Sequence, residues 1–208
     1  AEDGIRDYKV TGVQTCALPI WGIDAIVVDH HKVPEEALPA MAFLNPHRPG
    51  CGFPYKHLAS VGLAFSVAAA VRARLDASLD LRGLLDLVAL GTIADVAPLD
   101  GDNRILTRWG LQRIGDGQVT PGVAALIAEV KPRFRLSARD LAFQVTPLLN
   151  APGRLGSAMP TLALLLEDDP ARAASLARDL ALANQQRKEI SARRSEEHTS
   201  ELQSPCNL

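Results

Sequence analysis

The apolar positions of this 208-residue chain fall into short runs, and their period changes along its length. Residues 23–28 are apolar apart from Asp24 and largely β-branched, with polar residues beyond, which predicts a strand buried in a parallel sheet. Residues 34–54 hold Pro34, Pro39, Pro46, Pro49 and Pro54 with Gly50 and Gly52, which predicts mostly loop. Beyond them the pattern is helical. Residues 57–75 are small and apolar and end on Arg72 and Arg74, predicting a buried helix. Residues 81–90 predict another, stopped by Gly91, and residues 92–99, with Pro98, read as an irregular link. Residues 103–114 place Ile105, Leu106, Trp109, Leu111 and Ile114 on an amphipathic helix. A short helix over 121–128 has Pro121 near its start. Residues 137–144 open on Ser137 with Asp140 three places on, a capping-box-like start. Helices are also predicted over 158–166 and 170–190. The second has an alanine-rich apolar side of Ala171, Ala174, Leu176, Ala177, Leu180, Ala181 and Ala183. One strand followed by many helices predicts an α/β class: the C-terminal part of a parallel-sheet domain, mostly helical here, ending in a long linker helix.

The two ends break this pattern. Residues 1–20 and 194–208 carry no sustained helical or strand period. Back-translated with suitable codons, VTGVQTCALPI and RSEEHTSELQS become reverse complements of one another, and both match the adapter ligated to sequencing libraries. Residues 1–20 and 194–208 are therefore expected to be translated adapter, to be set aside like an expression scar. The expected native segment is residues 21–193, and its ends are cuts rather than domain boundaries.

Setting the ends aside changes the bookkeeping. Cys16, Cys206 and His198 drop out, leaving Cys51 as the single cysteine. One cysteine forms no internal disulfide, which fits a reducing, cytoplasmic setting. The ends also hold six of the 24 acids and three of the 22 basic residues, so the interior is close to neutral. It shows no polybasic stripe, so net charge gives no argument for nucleic-acid binding. No apolar run is long enough to span a bilayer.

Three stretches carry candidate chemistry. In AIVVDHHKVP, Asp29, His30 and His31 follow the predicted strand, where ligands of open α/β sheets gather. Imidazole and carboxylate suit Mn²⁺, Fe²⁺, Zn²⁺ or Mg²⁺ to differing degrees. Taken alone, the triplet reads rather as a polar strand end whose histidines bond to backbone. In LGTIADVAPLDGDNRIL, Asp95 lies among Ile93, Ala94 and Val96, where an unpaired carboxylate is costly. It is a candidate partner for the histidines, or a helix-cap aspartate. Asp100, Asp102 and Asn103 read as solvated turn residues. In LLNAPGRLGSA, Gly153 and Gly156 allow close backbone approach, Arg154 offers a fork for phosphate, and Asn150 and Ser157 add hydrogen-bonding groups. Such a Gly/Arg loop is often only a turn. His47, Arg48 and His57 read as surface or structural residues, and Trp21 and Trp109 as packing.

In this order and spacing, IVVDHHKVP, LASVGLAF, LLDLVALGTIADVAPLDGDNRIL and NAPGRLGSA resemble the DHH phosphoesterase superfamily. Within it they resemble the RecJ single-stranded-DNA exonucleases, over about residues 22–190. The DHH triplet alone also suits pyrophosphatases, exopolyphosphatases and oligoribonucleases of the superfamily. The resemblance implies that His30 and Asp95 ligate a two-metal site, usually Mn²⁺ with Mg²⁺ as an alternative. It implies that Asp29 supports the site, that His31 contacts the scissile phosphate or helps proton transfer, and that Asn150 and Arg154 hold substrate phosphates. It further implies a parent enzyme that degrades single-stranded DNA from the 5′ end in repair and recombination.

The departures point the other way for this chain. The family's upstream DxD-type carboxylates are expected before residue 21, and its second, substrate-binding domain after the last helix. Leu149 stands where an arginine is often found. The chain itself is therefore expected to be inactive. The alternatives are another DHH phosphoesterase, acting on oligoribonucleotides, cyclic dinucleotides or polyphosphate, and a catalytically dead DHH scaffold.

Overall fold

Two short apolar runs pair as parallel strands at the front of the chain. The computed structural model describes residues 24–33, 40–75, 78–132 and 134–203, the stretch from 194 onward by its backbone. Residues 1–23 (Trp21 and the first predicted strand residue among them), 34–39, 76–77, 133 and 204–208 lie outside the described set. Strand β1 (Ile26–Val28) runs parallel to β2 (Ala42–Leu44), with Ile26 opposite Ala42, Val27 opposite Phe43 and Val28 opposite Leu44. The Asp29 N–H donates to Leu44 O at 3.0 Å and carries the ladder one bond further. β2 lies within the stretch predicted to be loop. Three residues are too few to show a period, and the surrounding prolines hide them.

The helices α1 (Ser60–Leu75), α2 (Leu85–Ala94), α3 (Gly101–Gly115), α4 (Pro121–Val130), α5 (Ala138–Asp140), α6 (Thr146–Arg154), α7 (Met159–Leu165) and α8 (Pro170–Gln203) follow. A 3-10 turn at Leu81–Leu84 leads into α2, and a π-helical turn at Leu141–Val145 joins α5 to α6.

Gly91 does not stop the second predicted helix. It lies inside α2, where a Cβ would come within 2.9 Å of Val61 Cγ1, so its smallness admits α1 rather than ending α2. The helix thus runs into the segment expected to be an irregular link. Gly110 does the same between α3 and α2: a Cβ there would collide with Leu85 O and Ala89 Cβ. α8 continues past the predicted end at residue 190 because neither proline nor glycine occurs between residues 171 and 204.

The main core gathers Leu126, Leu141, Val145, Leu164, Ala173, Ala177 and Leu180 from the helices α4, α7 and α8 and the π-helical turn. The buried stripe of α8 is Ala173, Ala177, Leu180 and Asn184, whereas Ala171 is exposed. Among the described residues no helix is long and apolar enough to cross a membrane.

Candidate metal centre

The DHH triplet stands where β1 ends. Asp29 is still tied to the sheet through its backbone, and His30 and His31 follow it into the turn. Their rings lie 4.4 Å apart between centroids, tilted by 59°. Their partners differ. His30 Nδ1 lies 3.5 Å from Asp95 Oδ2, whereas His31 Nδ1 lies 2.7 Å from Asp29 Oδ1.

Asp95 reaches this place through the end of α2. It is the C-cap residue, and its N–H donates to Gly91 O. Val96 follows in the left-handed region at φ 56°, its N–H donating to Ile93 O and that of Ala97 to Thr92 O. Those two bonds form a Schellman motif, in which the left-handed place is ordinarily glycine. The turn brings Asp95 out at the helix end, with 40% of its side chain exposed. The expected carboxylate enclosed by apolar neighbours is therefore a helix cap open to water, and the same capping places it beside His30.

Asn45, unremarked in the sequence, organises the other half. It is 4% exposed and sits at the end of β2 as Asp29 sits at the end of β1. Its Nδ2 donates to His31 O at 2.9 Å and lies 3.5 Å from Asp29 Oδ2; its Oδ1 accepts from the His47 N–H at 2.8 Å. The visible signal was the parallel between IVVDHH and AFLNPH, each a short apolar run closed by a polar residue. Burial pushes the Asp29 carboxyl up, but hydrogen bonds from the His31 ring and backbone outweigh it, and the group lies below its ordinary value. With Nδ1 held by Asp29, Nε2 is the nitrogen of His31 left to meet a ligand, and the ring is 72% exposed.

The predicted Gly/Arg loop is helical: Asn150 and Arg154 lie four residues apart on α6, both exposed. No segment of the chain packs closely on Gly153: a Cβ there would meet only Ala158 Cβ, at 3.9 Å. Among the described residues no hydrogen bond or ion pair joins Asn150 or Arg154 to the triplet. Asn103 is not a solvated turn residue but fully buried in α3, its Nδ2 donating to His57 O at 2.6 Å and Pro98 O at 3.0 Å. Trp109, expected to pack, is 53% exposed.

The donor set fits a divalent ion in part. The 3.5 Å between His30 Nδ1 and Asp95 Oδ2 is too long for a good hydrogen bond and near the spacing of two donors that share an ion at about 2.1 Å each. Among the described residues, no three His, Cys, Asp or Glu side chains converge as a cation site.

Residues 5–92 match the DHH family, N-terminal domain. Over those residues the chain is similar to the DHH family. The single-stranded-DNA-specific exonuclease RecJ of Dickeya dadantii is 48% identical over 184 residues, which cover 82% of this chain and 32% of the relative. That of Thermus thermophilus is 36% identical over 172 residues, covering 81% and 24%. An exonuclease RecJ structure bound to manganese superposes on this chain with a TM-score of 0.78 at 32% identity, over 90% of this chain and 47% of that one. The structure of Thermus thermophilus RecJ in complex with Mn²⁺ gives 0.74 at 34% identity, over 85% and 26%. The chain spans about a third of the length of the first of these curated relatives.

Proposed function

We propose that this chain is part of the catalytic DHH domain of a divalent-metal-dependent, cytoplasmic exonuclease that hydrolyses single-stranded DNA from the 5′ end. The observation that carries the reading is the approach of His30 Nδ1 to Asp95 Oδ2 at the end of a parallel strand. His30 and Asp95 would hold the ion, with Mn²⁺ suited to an imidazole and a carboxylate. When bound, paired divalent ions at such a site supply an activated water and neutralise phosphate oxygens. Asp29 holds the His31 ring and fixes its tautomer, so that Nε2 is presented to the scissile phosphate for hydrogen bonding or proton transfer. Asn45 fastens the backbone beneath both residues. Asn150 and Arg154, one turn apart on α6, form a donor pair suited to substrate phosphates.

The two donors at this pair are fewer than a divalent ion takes; water, substrate oxygens and further side chains would complete its shell. Residues 1–20 and 194–208 are proposed to be adapter-derived, on the reverse complementarity of their back-translated sequences. The DHH match beginning at residue 5 runs against it at the N-terminal end. Sequencing the source gene through both junctions decides the point. The functional test uses the complete gene product and a 5′-phosphorylated single strand. Activity should vanish with chelator and return with Mn²⁺, while the 208-residue chain alone releases no nucleotides. Digestion that ignores the chelator would refute the metal assignment.

A further inference from the structure

A row of rings leads away from the DHH triplet. His47 and His57 face one another edge-on at 6.5 Å between centroids, and Tyr55 meets His57 edge-on at 5.8 Å. Both imidazoles are exposed, and Tyr55 is partly so.

The row is fastened to the site at both ends. At one end Asn45, which holds Asp29 and His31, accepts the His47 N–H. At the other, the Tyr55 hydroxyl bonds to the Asp100 carboxylate, five residues after Asp95. Between them the buried amide of Asn103 clamps His57 O to Pro98 O. The loop carrying the rings and the segment carrying Asp95 are thereby one unit. Exposed Lys32 and Arg48 stand at the end of the row next to the triplet. Arg48 already donates to Phe43 O and lies over the Phe43 ring, 5.9 Å from its centroid, which keeps its charge near the start of the row.

Rings with exposed surface, close to cations and tied to a phosphodiesterase-like centre, suit a chain of stacked bases with a phosphate backbone. We propose that His47, His57 and Tyr55 form a stacking rail for the bases of a single-stranded oligonucleotide whose end lies at the DHH triplet. The rail adds sequence-tolerant binding, because every base has a face, and it acts by positioning rather than by chemistry. The inference rests on the proposed nuclease reading.

The test measures binding of the 208-residue chain, without added metal, to labelled dT12 and to a twelve-unit abasic strand with the same phosphates. The double variant His47→Ala/His57→Ala should weaken dT12 binding roughly tenfold and leave the abasic strand unchanged. His57→Phe should keep most of the dT12 affinity, since a ring remains, and helical circular dichroism should be the same for all proteins. Equal weakening for both strands, or none for dT12, would overturn the rail while leaving the metal centre standing. Failure of the unsubstituted chain to bind either strand would overturn the rail and count against the single-strand reading as well. A nuclease reading that fails by itself shows instead in the chelator experiment, with dT12 binding intact.

Discussion

Asp29, His31 and Asn45 show how three neighbouring side chains divide one task. Asp29 accepts from the ring and the backbone N–H of His31, and Asn45 holds the same backbone by its carbonyl. The exposed imidazole therefore has a defined orientation despite its freedom to move. Val96 is the strained counterpart on the other wall. A β-branched residue at φ 56° occupies a place that glycine fills without penalty. Val96→Gly should stabilise the fold by about 1 kcal/mol in urea unfolding. A loss of similar size would show that the left-handed turn carries no strain. At this scale the sequence was informative wherever chemistry was concentrated. Asp29, His30 and His31 stood out as a triplet, and Asp95 as an acid among apolar residues. Asn45 and Asn103 were not legible, because a single amide gains its meaning only from the backbone groups that folding brings to it.

At the scale of elements, the segments that hold the site owe their placement to close approaches. Gly91 lets α1 reach α2 near the end that bears Asp95, and Gly110 lets α3 reach α2 near its start, so the helix is held along its length. In the sequence Gly91 resembles a helix stop, since glycine signals both a terminus and a contact, and only the facing Val61 distinguishes them. Ser137 and Asp140 form the cap their spacing predicts: the Ser137 hydroxyl accepts from the Asp140 N–H while the Asp140 carboxylate accepts from the Ser137 N–H and hydroxyl. The Ser137 hydrogen bonds hold the Asp140 carboxyl below its ordinary value. A depressed carboxyl contributes stability above its unfolded pKa and loses it as the pH falls through the folded one. Ser137→Ala should therefore lower the urea midpoint more at pH 7 than at pH 3. An equal decrement at both would show that the carboxylate takes no part in the cap. The proline-bearing α6 carries no such local signal, which is why the helix around Arg154 reads as a loop in the sequence.

For the molecule as a whole, the helical body was largely legible from apolar spacing, and the second strand was not. β2 has three residues and pairs with β1 from beyond a proline-rich stretch, so its existence depends on a partner 16 positions away in register. The candidate centre is likewise a product of the whole arrangement. The end of a strand delivers His30, the end of a helix delivers Asp95, and the two meet at 3.5 Å. We propose this meeting as a metal site of a single-strand exonuclease. The most direct measurement is Mn²⁺-dependent release of nucleotides from a 5′-phosphorylated single strand by the complete gene product carrying Asp95→Asn. Activity should fall about a hundredfold or more, with the fold retained by circular dichroism. Undiminished, Mn²⁺-dependent digestion by that variant would contradict it.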